Sequence, residues 1–207
     1  MNIMLDNSAE QIWHYREKYN IDFDQLRTPL TQYRRDQCNL IHYGLDNGAF
    51  SNFKEHTWEL MALDAQDDLL CDWVVLPDVV CDAEKTTENF WKYLDLGFDY
   101  KPAYVLQNGI TQDMMKDLWP KIECVFVGGN DFFKDGAIAR KICQVAKEKG
   151  KHVHVGRVNS PVRFSSWFDL ADSVDGSGLS RFTESLEKLV RIMQSYENTT
   201  QQKITKF

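Results

Sequence analysis

The chain alternates short apolar runs with longer stretches of helical periodicity. Asn2–Leu5, Leu40–Leu45, Trp73–Leu76, Ala103–Leu106, Cys124–Val127, His152–Val155 and Ala171–Val174 are the runs. Each has the length and continuity of a strand buried on both faces. Between them apolar positions recur three and four apart. Ala9–Tyr19 follows Ser8 as N-cap and sets Ile12 and Tyr15 on one face; His56–Leu70 carries Trp58, Met61, Ala62, Ala65 and Leu69. Asp82–Leu96 opens on Asp82 as N-cap and stops at Gly97, and Gly136–Lys149 stops at Gly150. Thr111–Leu118, Pro161–Leu170 (Ser160 as N-cap, Pro161 at its first position) and Ser180–Tyr196 complete the predicted helices. Ile21–Gln37, with Pro29 and the Arg34-Arg35 pair, reads as a long irregular connection, and the polar tail 197–207 as frayed.

Repeated strand-then-helix units build a parallel sheet covered on both faces, which places the chain in the α/β class. Seven units are legible, close to the eight of a closed barrel. The expectation is one domain over residues 1–207, a compact (βα)8-type, TIM-like barrel with one irregular or missing unit. A doubly wound open sheet is the competitor. It concentrates its site at one switch point, whereas a barrel collects every strand end on one rim.

Here nearly every strand ends in chemistry. The ends are Leu45-Asp46-Asn47-Gly48, Leu76-Pro77-Asp78, Leu106-Gln107-Asn108-Gly109, Val127-Gly128-Gly129-Asn130, Val155-Gly156-Arg157 and Val174-Asp175-Gly176. That favours the barrel. Asp46 and Asp175 form a carboxylate pair of the kind that retaining glycosyl transfer divides into nucleophile and proton-transfer roles. The plainer reading makes Asp46 a turn residue and Asp175 a helix cap.

Composition narrows the classes. A 43% hydrophobic share supports a core and 27% charged residues argue against disorder. No apolar run approaches the length of a membrane span, and Met1–Asp6 lacks the pattern of a signal peptide. A soluble, cytoplasmic protein is expected. The five cysteines (Cys38, Cys71, Cys81, Cys124, Cys143) include no Cys-x-x-Cys pair, so neither a disulfide framework nor a structural zinc site is supported. The net charge is −7, but residues 1–100 carry 8 Lys/Arg against 19 Asp/Glu and residues 101–207 carry 16 against 12. The basic half permits a phosphate-binding face.

Taken in order, the strand ends resemble the active-site series of the tRNA-guanine transglycosylase family. Asp46-Asn47-Gly48-Ala49-Phe50-Ser51 is similar to that family's Asp-Ser-Gly-Gly-Phe-Gln segment, and Val105-Leu106-Gln107-Asn108-Gly109 to its Val-Gln-Gly-Gly strand end. Val127-Gly128-Gly129 resembles its Ile-Gly-Gly turn, and Val155-Gly156 its Met-Gly-Val segment. Pro77-Asp78, Asp175 and Arg181 fall where the family has a purine-reading aspartate, the nucleophilic aspartate and a following arginine. The likeness spans residues 40–182. The family's zinc-binding Cys/His cluster is missing, which makes the chain most similar to the zinc-less 7-deazaguanine DNA transglycosylases of bacteria and their viruses.

The resemblance implies exchange of guanine in DNA for a free 7-deazaguanine base, with no cofactor and no metal. Asp175 would attack C1′ and Asp46 would assist proton transfer. Asp78, Gln107 and the backbone at Gly128 and Gly129 would read the base, with Gly156 lining its pocket and Phe50 as a stacking partner. Arg157, Arg163 and Arg181 are candidate phosphate contacts.

Two rivals stand beside this reading. His152 and His154 alternate on one strand and point the same way, which with Asp46 or Asp175 suggests a metal-dependent hydrolase. Alternatively the barrel is a nucleobase or nucleoside transferase, or a binding protein, that does not act on polymer.

Overall fold

A computed structural model describes residues 1–33 and 40–204, with side chains as far as Tyr196. Eight parallel strands pair in chain order and close on themselves. They are β1 Asn2–Leu5, β2 Asp24–Arg27, β3 Tyr43–Leu45, β4 Cys71–Val75, β5 Pro102–Leu106, β6 Cys124–Val127, β7 His152–Val155 and β8 Ser173–Asp175. β1 meets β8 with Asn2 beside Ser173 and Met4 beside Asp175. The protein is an α/β barrel of the TIM type. The helices are α1 Ala9–Tyr19, α2 Glu55–Ala65, α3 Ala83–Leu94, α4 Met115–Leu118 (continued by a 3-10 turn, Trp119–Lys121), α5 Asp131–Lys134, α6 Ala137–Glu148, α7 Pro161–Trp167, α8 Ser177–Arg181 and α9 Thr183–Ile204.

The expected caps hold the helix starts. Ser8 accepts from the Gln11 N–H at 3.3 Å, Asp82 from Lys85 at 3.0 Å, and Ser160 from Arg163 at 3.2 Å. Gly97 and Gly150, just past α3 and α6, take the left-handed conformation at φ 75° and 69°.

The irregular connection expected over Ile21–Gln37 contains the unit that completes the barrel. β2 reads Asp24-Gln25-Leu26-Arg27, so only Leu26 supplies an apolar signal. Its polar Asp24 and Gln25 are buried because neighbours satisfy them. Asp24 accepts from Asn2 at 2.8 Å and pairs with Arg16 at 3.5 Å, and Gln25 donates to the Asn7 carbonyl at 2.9 Å. Arg34, Arg35 and Cys38 lie outside the described residues. The β3 strand covers only the last part of the predicted Leu40–Leu45. Two short helices, α5 and α8, were not foreseen, and α9 starts three residues later than expected and runs to Ile204. Cys71, Cys124 and Cys143 are buried free thiols, and Cys81 is an exposed one.

Two apolar layers result. Outward-facing strand residues pack under the helices, whereas Met4, Leu26, Trp73, Val75, Ala103, Val105, Cys124 and Phe126 form a separate cluster inside the barrel. Trp73 fills the centre because Gly44, on the adjoining strand, leaves it room. A Cβ at Gly44 would lie 2.2 Å from the indole ring. Gly44→Ala is therefore expected to cost roughly 2–4 kcal/mol by overpacking a rigid site. Denaturant melts would check this, and a loss below about 0.5 kcal/mol would show that the indole can move aside.

Candidate active site

One pocket opens at the carboxyl ends of the strands, and residues from five βα junctions line it. Asp46, Asn47 and Phe50 follow β3, and Asp78 and Val80 follow β4. Gln107 follows β5, Gly128, Gly129 and Lys134 follow β6, and Gly156 and Arg157 follow β7. Asp175, Val105 and Phe126 enter from the strands themselves. The pocket's interior is a narrow cleft of about 60 Å³. It gathers nine of the expected positions: Asp46, Phe50, Asp78, Gln107, Gly128, Gly129, Gly156, Arg157 and Asp175.

Three carboxyl groups share this space. Burial, with the charges of Asp175 and then Asp78 adding to it, pushes Asp46 up to about 7. Asp78 is also raised by burial, although two amides oppose the shift. Asn47 donates to it at 2.8 Å and Gln107 at 2.5 Å. Each amide is itself fixed. Asn47 also donates to the Leu76 carbonyl at 2.9 Å and accepts from the Ala49 N–H at 2.7 Å, and Gln107 accepts from the Cys81 N–H at 2.8 Å. The Gln107 nitrogen therefore has one N–H on Asp78 and a second for a ligand.

Asp175 is held from two sides. His154 Nε2 lies 2.9 Å from Oδ2, and the Arg157 N–H donates to Oδ1 at 3.3 Å. The His154 ring is fully buried, packed 4.8 Å from Trp73 and 4.6 Å from Phe126. Its other nitrogen is 2.8 Å from the Ser173 hydroxyl, which His152 Nε2 meets at 2.7 Å. Burial, followed by the neighbouring His154, pushes His152 down to about 4. Both imidazoles are thus turned onto one serine, as the strand alternation predicts. Among the described residues no three His, Cys, Asp or Glu side chains are grouped to hold a metal ion.

The glycines answer to space as much as to ligand approach. A Cβ at Gly128 would lie 2.6 Å from Val105, and one at Gly156 would lie 2.7 Å from Phe126. The Gly128 N–H is spent on the Leu106 carbonyl at 3.0 Å. Phe50 is 62% exposed, on the rim rather than in the core. The Arg157 backbone is left-handed (φ 60°), and its guanidinium lies 3.9 Å over the Phe50 ring and donates to the Gly129 carbonyl at 2.6 Å.

A second cavity adjoins the first. Asp46, Phe50, Arg157 and Asp175 form the shared wall, and Asp6, Thr28, Ser51, Ser177, Ser180 and Arg181 line its far side. Asp6 is raised by burial there and accepts from Thr31 at 2.6 Å. Arg181 thus borders the site, as expected. Arg163 does not: it lies outside both cavities with its guanidinium on Asp135 at 2.9 Å and Asp131 at 3.0 Å, which leaves it poorly placed to meet a phosphate.

Sequence reasoning missed two residues. The sequence offers His154 as a metal ligand or a histidine packed near a strand end, not as a partner of Asp175, although His152/His154 and Ser173/Asp175 share one period-2 alternation on strands that prove adjacent. Lys134 had no signal beyond its place in the short Asp131-Phe132-Phe133-Lys134 segment. It is completely buried, lines the pocket and donates to the Gly156 carbonyl. Burial pushes its ammonium down from 10.5 to about 8, with the Arg157 charge adding to the shift. Between those values the folded chain binds fewer protons than the unfolded one, so stability rises with pH across that window. Lys134→Met is expected to flatten that rise, roughly 1–3 kcal/mol in the wild type. Melts at pH 8 and pH 10 would read it, and an unchanged slope would place the rise elsewhere. No protein-family model matches the chain, and no curated protein matches it in sequence.

Proposed function

We propose that the protein exchanges a purine base at a nucleotide's anomeric carbon, replacing guanine in DNA with a free 7-deazaguanine base. The observation that carries the reading is the shared wall. Asp46 and Asp175 border both a pocket with a fixed Asp78–Gln107 pair and a second cavity beside it. A base in the first and its sugar in the second would bring the glycosidic bond across Asp175.

Asp175 attacks C1′ and the C1′–N9 bond breaks, leaving the sugar joined to the carboxylate. Asp46, poised near neutrality, hands a proton to the departing guanine and takes one from N9 of the incoming base. That base then attacks C1′ and releases Asp175. Two inversions give net retention. Asp78 accepts from the N–H groups of the purine edge, and Gln107 donates its second N–H to the carbonyl oxygen. Arg181, on the sugar side, is the residue placed to meet a phosphate. In a duplex the target nucleotide leaves the stack to reach the rim, at a cost of a few kcal/mol.

Labelled guanine, offered with duplex DNA, single-stranded DNA or tRNA, tests the reading. Label entering DNA with the wild type, and with neither Asp175→Ala nor Asp46→Ala, is the expected result. Entry into tRNA alone would replace the acceptor and keep the chemistry. Label in no polymer, with folded protein, would overturn base exchange on polymers.

A further inference from the structure

The chain His152–Ser173–His154–Asp175 runs inside the barrel from the starts of β7 and β8 to their ends, and its geometry constrains what each atom does. A carboxylate oxygen only accepts, so the tautomer that satisfies Asp175 Oδ2 at 2.9 Å has its proton on Nε2. In that tautomer Nδ1 is a lone pair, and at 2.8 Å it takes the Ser173 O–H. The serine oxygen, its proton committed, accepts from the His152 Nε2–H at 2.7 Å. Every donor finds an acceptor in one direction.

The order of burial says which member reacts. In a hydrolytic triad the imidazole faces the substrate and the buried carboxylate orients it. Here the arrangement is inverted: the His154 side chain is 0% exposed and that of Asp175 is 10% exposed, on the wall of both cavities. His154 has no path to a substrate. Packed between Trp73 and Phe126, its ring is a fixed post.

We infer that His154 is a positioning residue for Asp175, with Ser173 and His152 completing the hydrogen bonds behind its ring, so that Oδ2 is tied back and Oδ1 is presented to the reacting carbon. Oδ1 has only the longer 3.3 Å contact from the Arg157 N–H, which makes it the freer oxygen to form a bond. The inference rests on Asp175 being the attacking group. It adds that the barrel interior, through the shorter of the two contacts, aims it.

Two measurements test this separately. His154→Phe keeps a flat ring between Trp73 and Phe126 and removes both nitrogens, whereas His154→Gln keeps an N–H that reaches the Nε2 position. Base exchange is expected to lose roughly 100-fold in kcat with KM for the base within threefold in the Phe variant, and to recover to within tenfold of wild type in the Gln variant. A Phe variant at the wild-type rate, or kcat, KM and thermal stability falling together in both variants, would overturn the positioning role. The second readout needs no activity: imidazole 15N shifts in labelled protein are expected to report an Nε2–H tautomer at His154 that is kept in Ser173→Ala and lost in Asp175→Ala. An Nδ1–H tautomer in the wild type would overturn the relay. A wild type that exchanges no base but shows the Nε2–H tautomer would overturn the proposed function and retain the relay.

Discussion

Asp175→Asn is expected to lower base exchange by roughly 10³-fold or more and to abolish any covalent protein–nucleic acid adduct. The amide is nearly isosteric, and its oxygen still accepts from His154, so the bond at 2.9 Å survives and the fold with it. What disappears is the negative oxygen that forms the bond to C1′. Asp175→Ala is the less clean substitution because it leaves the buried His154 nitrogen without its acceptor, a cost of about 1–3 kcal/mol. With the incoming base withheld, wild-type protein should be trapped on its acceptor as a species that survives denaturing gels, and the Asn variant should not. Exchange within tenfold of wild type in a folded Asn variant would remove Asp175 from the chemistry.

Asp46→Asn should slow exchange by roughly 10²–10⁴-fold and stabilise the protein at pH 8. Asp46 is raised from 3.8 to about 7 in the folded state. The folded chain therefore holds an extra proton between those values. The stability this confers is full below pH 4 and lost as pH rises through 7. Above 7 the wild type carries the whole burden of a half-buried charge facing Asp175 and Asp78. The Asn variant does not, and its advantage at pH 8 is expected to be roughly 1–3 kcal/mol, closing toward pH 4. The two half-reactions should divide by pH as well. Expulsion of guanine needs protonated Asp46 and should weaken above pH 7, and entry of the new base needs the carboxylate and should weaken below it. Melts of the two proteins that stay parallel from pH 4 to pH 8 would contradict the raised value.

The barrel was legible because most of its strands are short, largely apolar runs that stop at turn residues and alternate with helical periodicity. β2 escaped because it buries Asp24 and Gln25, and a strand whose polar groups find partners in Asn2, Arg16 and Asn7 leaves no trace in hydrophobicity. The rim residues were legible by position: each follows a strand by a few residues, and closure alone carries them to one place. Lys134 and the His154–Asp175 contact were not. They depend on which strands lie side by side and how deep a side chain sits, and no local pattern encodes either. The pairing of Arg163 with Asp131 and Asp135, some thirty residues upstream, was illegible for a similar reason.

The seam between β1 and β8 also fixes when the site comes into being. Asn2 and Ser173 are neighbours in space and 171 positions apart in the chain, so the seam is the most non-local pairing in the barrel and the slowest kind to form. Asp175 sits on it. During synthesis the rim can assemble acid by acid from Asp46 onward, yet the last carboxylate arrives only when the first strand has waited, unpaired on one edge, for nearly the whole chain to emerge. An intermediate lacking that closure would present an open strand edge to other chains. The protein is most exposed to misassembly in the interval before it acquires the residue proposed to do its chemistry.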